Sequence, residues 1–305
     1  MDRRTAVIVM VATSAAFLLF LTAAVALVVA ASGGSSREVG GPGPNRVGVV
    51  EVKGVISSPD DILKDLKRFR ERDDIKAILV RVDSPGGAVA PSQEIHDAIA
   101  RTVKVKPVVV SMGNTAASGG YYLAVAASRI YAEPGTLTGS IGVIAELPQV
   151  DGLLDWAHLK VNTVRSGKFK DLGSPFRAMT DDDRKLFQGL IDEVYGQFLQ
   201  AVAEGRKLPV EKIRPIADGR VLSGSQAKAL GLIDSFGGLE EAAQGALELA
   251  KLTGKPTLVY PAEEFQFRLG DLVKQASGSA AAGFRSAAEP PLGLLFLMPF
   301  GEASR

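Results

Sequence analysis

Ser118 stands in a run of small residues, Ala116-Ala117-Ser118-Gly119-Gly120, that ends in Tyr121-Tyr122. The apolar run Pro107 to Val110 precedes it and an apolar pattern to Ala127 follows, which predicts a strand, a tight turn and a helix. Such a turn sets one residue at a helix N-terminus, beside backbone N–H groups that have no partner within the helix. Alanine and glycine on either side leave room for a substrate backbone to approach. The chemistry this allows is nucleophilic attack by the Ser118 hydroxyl, with neighbouring N–H groups holding an oxyanion. The alternative is a glycine-rich packing turn in which Ser118 merely caps the helix. The GxSxG elbow of other serine hydrolases is absent.

A second glycine turn, Ser84-Pro85-Gly86-Gly87, follows the apolar run Ala77 to Val82. In a parallel sheet the C-terminal ends of strands share one edge, where ligands bind. Two such turns can aim N–H groups at one point, with Gly119 as first donor and Gly87 as second.

A serine nucleophile needs a base. The chain has no cysteine and two histidines. His96 belongs to a predicted helix and His158 to a helix end, where a cationic ring suits the dipole. The remaining class of base is a lysine, and Ser166 to Pro175 supplies Lys168 and Lys170 around Phe169. In an extended segment both lysines point the same way, so alternation does not choose between them. An ordinary lysine amine, with a pKa of about 10.4, needs desolvation and hydrogen-bond partners to act as a base near neutrality.

The elements that must position these groups read as alternating strands and helices. Strands are expected at Val47 to Val52, Ala77 to Val82, Pro107 to Val110, Arg129 to Ala132, Ser140 to Ile144, Val161 to Arg165 and Thr257 to Tyr260. Helices are expected from Ser58-Pro59, over Pro91 to Arg101, after Ser118, and near Val150 to Trp156. Others are expected from Thr180 to about Glu204, near Ser225 to Leu230 and over Leu239 to Leu252. Thr180 should cap the long one, with Asp181 to Asp183 in its first turn and Leu186, Leu190, Val194 and Phe198 on one face. This alternation argues for an α/β fold with parallel pairing.

Length and charge narrow the class further. The 305 residues suffice for one sizeable core plus appendages, and a net charge of +1 gives no reason to expect nucleic acid as a partner. Arg3 and Arg4 precede an uncharged stretch whose apolar heart, Ala6 to Ala31, exceeds the about 20 residues a bilayer-spanning helix needs. Residues 1–5 are expected on the cytoplasmic side, with the catalytic domain outside. Residues 32–45 read as a flexible Gly/Ser/Pro linker, 46–262 as the folded domain, and 263–305 as a partly disordered tail with an apolar end from Pro290 to Phe300.

Taken together, Asp83-Ser84-Pro85-Gly86-Gly87, Ala116 to Tyr122 and Lys170-Asp171-Leu172-Gly173-Ser174-Pro175 resemble the signal peptide peptidase A (SppA) family. A fourth block, Asp218-Gly219-Arg220-Val221-Leu222-Ser223-Gly224 with Gly231-Leu232-Ile233-Asp234, agrees in order. The resemblance spans about Val47 to Tyr260. It implies the ClpP/crotonase-like superfold of repeated ββα units, here preceded by one transmembrane helix. It implies Ser118 as nucleophile and Lys170, rather than Lys168, as general base. It implies Gly119 and Gly87 as oxyanion donors, with Gly86 the alternative to Gly87. No metal or cofactor is implied. The implied substrates are apolar peptides and remnant signal peptides, and the implied assembly is a ring-shaped homo-oligomer with shared active sites at the cell membrane. An acyl-CoA enzyme of the crotonase type and a silent peptide-binding scaffold are the rival readings.

Overall fold

The computed structural model describes residues 43–261 and 295–297. The expected anchor, Ala6 to Ala31, and most of the tail lie outside the described residues. Among the described residues no helix is long and apolar enough to cross a membrane.

The first half of the domain runs β1 (Arg46–Lys53), α1 (Asp60–Glu71), β2 (Ile75–Ser84), β3 (Gly86–Ala88), α2 (Val89–Val103), β4 (Val108–Ala117) and α3 (Gly119–Ala124). After it come β5 (Arg129–Ala132), β6 (Leu137–Gly139), α4 (Asp151–Trp156), α5 (Asp181–Arg206), α6 (Val210–Ile213), β7 (Val221–Ser223), α7 (Gly224–Ala229), β8 (Ser235–Phe236), α8 (Leu239–Leu249) and β9 (Thr257–Val259). Residues 295–297 form β10 (Leu295–Leu297).

The main sheet is ordered β7-β6-β4-β2-β1-β9, with β5 bridging β4 and β8. Pairing is parallel except between β6 and β7, which are antiparallel, so the sheet is mixed. Both faces of a mostly parallel sheet are covered, and its central strands therefore read as continuous apolar runs. Val50, Val52, Ile78, Val80, Val108 and Val110 pack with Leu66 and Phe69 of α1, Ile95 and Ile99 of α2, and Phe198 and Val202 of α5. The alternate residues Val47, Val49, Ala77, Leu79 and Val109 pack with Ala242, Ala243, Ala246 and Leu247 of α8.

Strand β4 divides its partners. Val109 to Ser111 pair with β5, whereas Thr115 to Ala117 pair with β6. Its end is thereby steered to the sheet edge that also receives the end of β2, with Ser84 opposite Ala116.

Two expected strands are absent. The segment Ser140 to Ile144 is not a strand. The strand of that region is β6, three residues earlier, and Ser140 at φ 48° ends it because an L-residue there leaves the extended region. Val161 to Arg165 is likewise irregular, and every residue of it is exposed. Strand propensity reflects fit to a half-buried pleated surface, and within one chain this segment has none to lie on. The long helix is as expected: Thr180 Oγ1 accepts the Asp183 N–H at 3.1 Å, and the Asp183 carboxylate accepts the Thr180 N–H at 3.0 Å, a complete capping box.

Candidate active site

Ser118 joins β4 to α3 at φ 53°, ψ −116°. A side chain at positive φ is strained by about 1–3 kcal/mol and persists only where the surroundings over-determine it. Here they do. The Ser118 N–H donates to the Gly139 carbonyl at 2.8 Å, and the Ser118 carbonyl accepts the Tyr122 N–H at 2.8 Å. Thr138 Oγ1 donates to the Ala116 carbonyl at 2.7 Å, stitching β6 to the strand that leads in. Tyr121, fully buried, donates its hydroxyl to the Leu232 carbonyl at 2.9 Å. Burial pushes the Tyr121 phenol well above its ordinary pKa.

The Ser118 hydroxyl itself is buried and has no hydrogen-bond partner among the described residues. It occupies the cap position of α3 without accepting any N–H there. The alternative of a capping serine in a packing turn therefore fails. A buried unpaired hydroxyl costs about 1–3 kcal/mol, and such a group in a strained turn calls for a functional reason. Gly119 opens α3, so its N–H is among the first-turn donors without an intrahelical partner.

The second turn is resolved between its two glycines. Ser84 is buried, and its Oγ accepts the Gly86 N–H at 3.1 Å. The Gly86 carbonyl accepts the Ile56 N–H at 2.9 Å, and the Ile56 carbonyl accepts the Ala88 N–H at 2.8 Å. Along a strand the polar groups alternate between edges, so the Gly87 N–H faces away from Ile56. Position 87 must be glycine: a Cβ there would lie 2.2 Å from the Ile56 carbonyl oxygen. The bridge to Ile56 is a feature that apolar patterning misses, because a lone residue between β1 and α1 carries no periodic signal.

Lys170 lies apart from this buried centre. It is exposed, in the irregular segment between α4 and α5, and it makes no hydrogen bond to Ser118 Oγ. Lys168 is engaged otherwise, with Nζ 2.5 Å from the Asp182 carboxylate and 5.1 Å from the Phe169 ring centre. The loop is pinned by charge. Arg177 holds Asp171 at 2.9 Å and Asp183 at 2.5 Å, and Arg165 holds Asp171 at 2.5 Å. Hydrogen bonds from Arg177 and then Arg165 lower the Asp171 pKa to about 2, and those from Arg177 and the Thr180 backbone hold Asp183 lower still. The same segment exposes Leu153, Trp156, Val164, Phe176, Leu186 and Leu190, with Trp156 79% and Val164 98% accessible.

The histidines lie outside the centre. His96 Nδ1 is 3.0 Å from the Asp97 carboxylate, and its ring packs on Tyr122 at 5.0 Å. His158 follows α4 at φ 55°.

Residues 100–253 match the sequence profile of Peptidase family S49. The chain belongs to this family. Residues 52–135 also match the Clp protease profile, in agreement with the layered α/β fold. A protein of Synechocystis sp. provisionally named a protease is 43% identical over 209 residues, covering 68% of this chain and 75% of that one. A protein of Enterococcus faecium provisionally named signal peptide peptidase SppA is 34% identical over 225 residues, 72% of this chain and 65% of its own length. The serine protease SPPA, chloroplastic, of Arabidopsis thaliana is 36% identical over 220 residues, 69% of this chain and 32% of its own. The chain thus spans less than two thirds of the Enterococcus and Arabidopsis proteins. It is a serine protease of family S49, of the SppA type.

Proposed function

We propose that this S49 peptidase cleaves apolar peptides, remnant signal peptides among them, through a Ser118–Lys170 dyad completed between neighbouring copies. The observation that carries this reading is the separation of the two groups. Ser118 Oγ is buried and unpartnered in its own chain, while Lys170 is exposed on a segment whose apolar residues are uncovered. An exposed apolar surface of this extent marks an interaction site. A second copy seated on it would carry Lys170 to the neighbour's Ser118 and take the amine out of water. Head-to-tail contacts of this kind close into rings when the rotation permits.

In the proposed reaction, neutral Lys170 takes the proton from Ser118 Oγ as Oγ bonds to the scissile carbonyl carbon. The Gly119 and Gly87 N–H groups hold the oxyanion. The carbon–nitrogen bond then breaks, and the lysine ammonium returns the proton to the leaving amine. Water, deprotonated by the same lysine, releases the acyl group and restores the serine. The stretch Ala6 to Ala31, flanked by Arg3 and Arg4, supports a single membrane anchor with the catalytic domain on the extracytoplasmic side. An anchored enzyme meets substrates that remain in the bilayer.

A fluorophosphonate probe on the purified protein tests the reading. A single adduct on Ser118, lost in Lys170→Ala, is expected. A crotonase-type acyl-CoA enzyme or a silent scaffold would remain unlabelled.

A further inference from the structure

Strand β3 offers two backbone edges, and both are occupied. Ile56 takes one through Gly86 and Ala88. The other carries the Gly87 N–H and carbonyl, and there β10 pairs antiparallel, with Leu295 opposite Ala88, Phe296 opposite Gly87 and Leu297 opposite Gly86. The chain's own C-terminal segment therefore covers the edge that bears the Gly87 donor, and it also neighbours α3, the helix that opens directly after Ser118. Residues 290–301, Pro-Pro-Leu-Gly-Leu-Leu-Phe-Leu-Met-Pro-Phe-Gly, contain no charged residue. That is the chemistry of the peptides this site is proposed to bind.

We infer that Leu295–Leu297 is an intramolecular competitor, lying as an antiparallel strand where an extended apolar substrate lies along Gly86–Ala88. The inference rests on the reading of Ser118 and Gly87 given above. Strand addition recognises a peptide chiefly through its main chain, so a tethered apolar segment and a substrate compete for the same Gly87 groups. The contact is three residues long, which keeps it displaceable. The tether raises its local concentration to the order of millimolar. The strand sets a threshold: peptides that bind weakly do not displace it, and longer apolar segments do.

The test uses the full chain and a short fluorogenic peptide of apolar residues. Phe296→Pro removes the one N–H of β10 that faces Gly87 and leaves the rest of the tail in place. The apparent KM should fall about tenfold, the scale set by a millimolar tethered competitor, with kcat unchanged. Adding a synthetic peptide of residues 290–301 at about millimolar concentration should raise the KM of Phe296→Pro back towards that of the natural chain. Equal KM values for the two proteins, with hydrolysis that depends on Ser118, would overturn the competitor alone. Hydrolysis that survives Ser118→Ala would remove the underlying site and the competitor with it. Loss of the C-terminal segment from the natural chain, seen as a reduced intact mass in active protein but not in Ser118→Ala, would make the strand a substrate and also overturn the inference.

Discussion

Ser84 Oγ accepts the Gly86 N–H at 3.1 Å inside the protein, and this bond is what separates the two glycines of the second turn. With Gly86 engaged, the Gly87 N–H is the group of that turn left to face the outer edge of β3. Ser84→Ala leaves a buried N–H without its partner, at a cost of about 1–3 kcal/mol. Thermal unfolding should show that loss, and peptide hydrolysis should fall with it, because the Gly87 donor is no longer held in place. Unchanged turnover in Ser84→Ala would argue against Gly87 as an oxyanion donor.

Substitutions at the dyad should separate chemistry from folding. Ser118→Ala removes a hydroxyl that is buried and unpaired, so its melting temperature should equal or exceed that of the natural protein while hydrolysis disappears. Lys170→Ala should be equally inactive and equally folded. Lys168→Ala should keep most activity, since Lys168 is spent on Asp182. A dead Lys168→Ala beside an active Lys170→Ala would reverse the assignment of the base.

The central strands were legible because a buried parallel sheet writes itself as unbroken apolar runs, as in Val47 to Val52 and Val108 to Val110. The long helix was legible from Thr180, Asp183 and the apolar stripe that ends in Phe198. Its first turns carry the same stripe in Leu186 and Leu190, yet both are about 40% exposed in one chain. Periodicity records that a face is to be covered, not which molecule covers it. Val161 to Arg165 misled for a related reason: its β-branched residues suit a pleated surface that a single chain does not provide. The Ser118 conformation was foreshadowed by the small residues around it, whereas the Ile56–Gly87 bridge and the pairing of β10 with β3 join segments whose meeting no local pattern announces.

The Lys170 loop should be acid-labile in a defined window. The folded Asp171 carboxyl titrates at about 2, below the ordinary value of about 3.9. Its contribution to stability is complete above the ordinary value and disappears as pH falls through about 2. Carboxyl chemical shifts followed by NMR should give that low midpoint in the natural protein and a value nearer the ordinary one in Arg177→Gln. The same variant should lose up to about 100-fold in hydrolysis, as expected when a reacting group is misplaced by about an ångström. An unmoved Asp171 midpoint would show that Arg177 does not hold the loop.

Activity should rise towards mildly alkaline pH along a single ionisation, because a lysine accepts a proton only as the neutral amine. His96→Asn should leave that profile in place, since His96 is engaged with Asp97 and Tyr122 away from Ser118. A flat profile between about pH 6 and 9 would count against a lysine base.

Subunit mixing tests the shared dyad most directly. Ser118→Ala and Lys170→Ala proteins, each inactive, are combined, dissociated and reassembled, with exchange verified by mass. Random mixing in a head-to-tail ring sets an intact serine beside an intact neighbouring lysine at about a quarter of the interfaces. Hydrolysis should return to roughly that fraction of the natural activity. A mixture that exchanges subunits fully and stays inactive would contradict a dyad built from two chains.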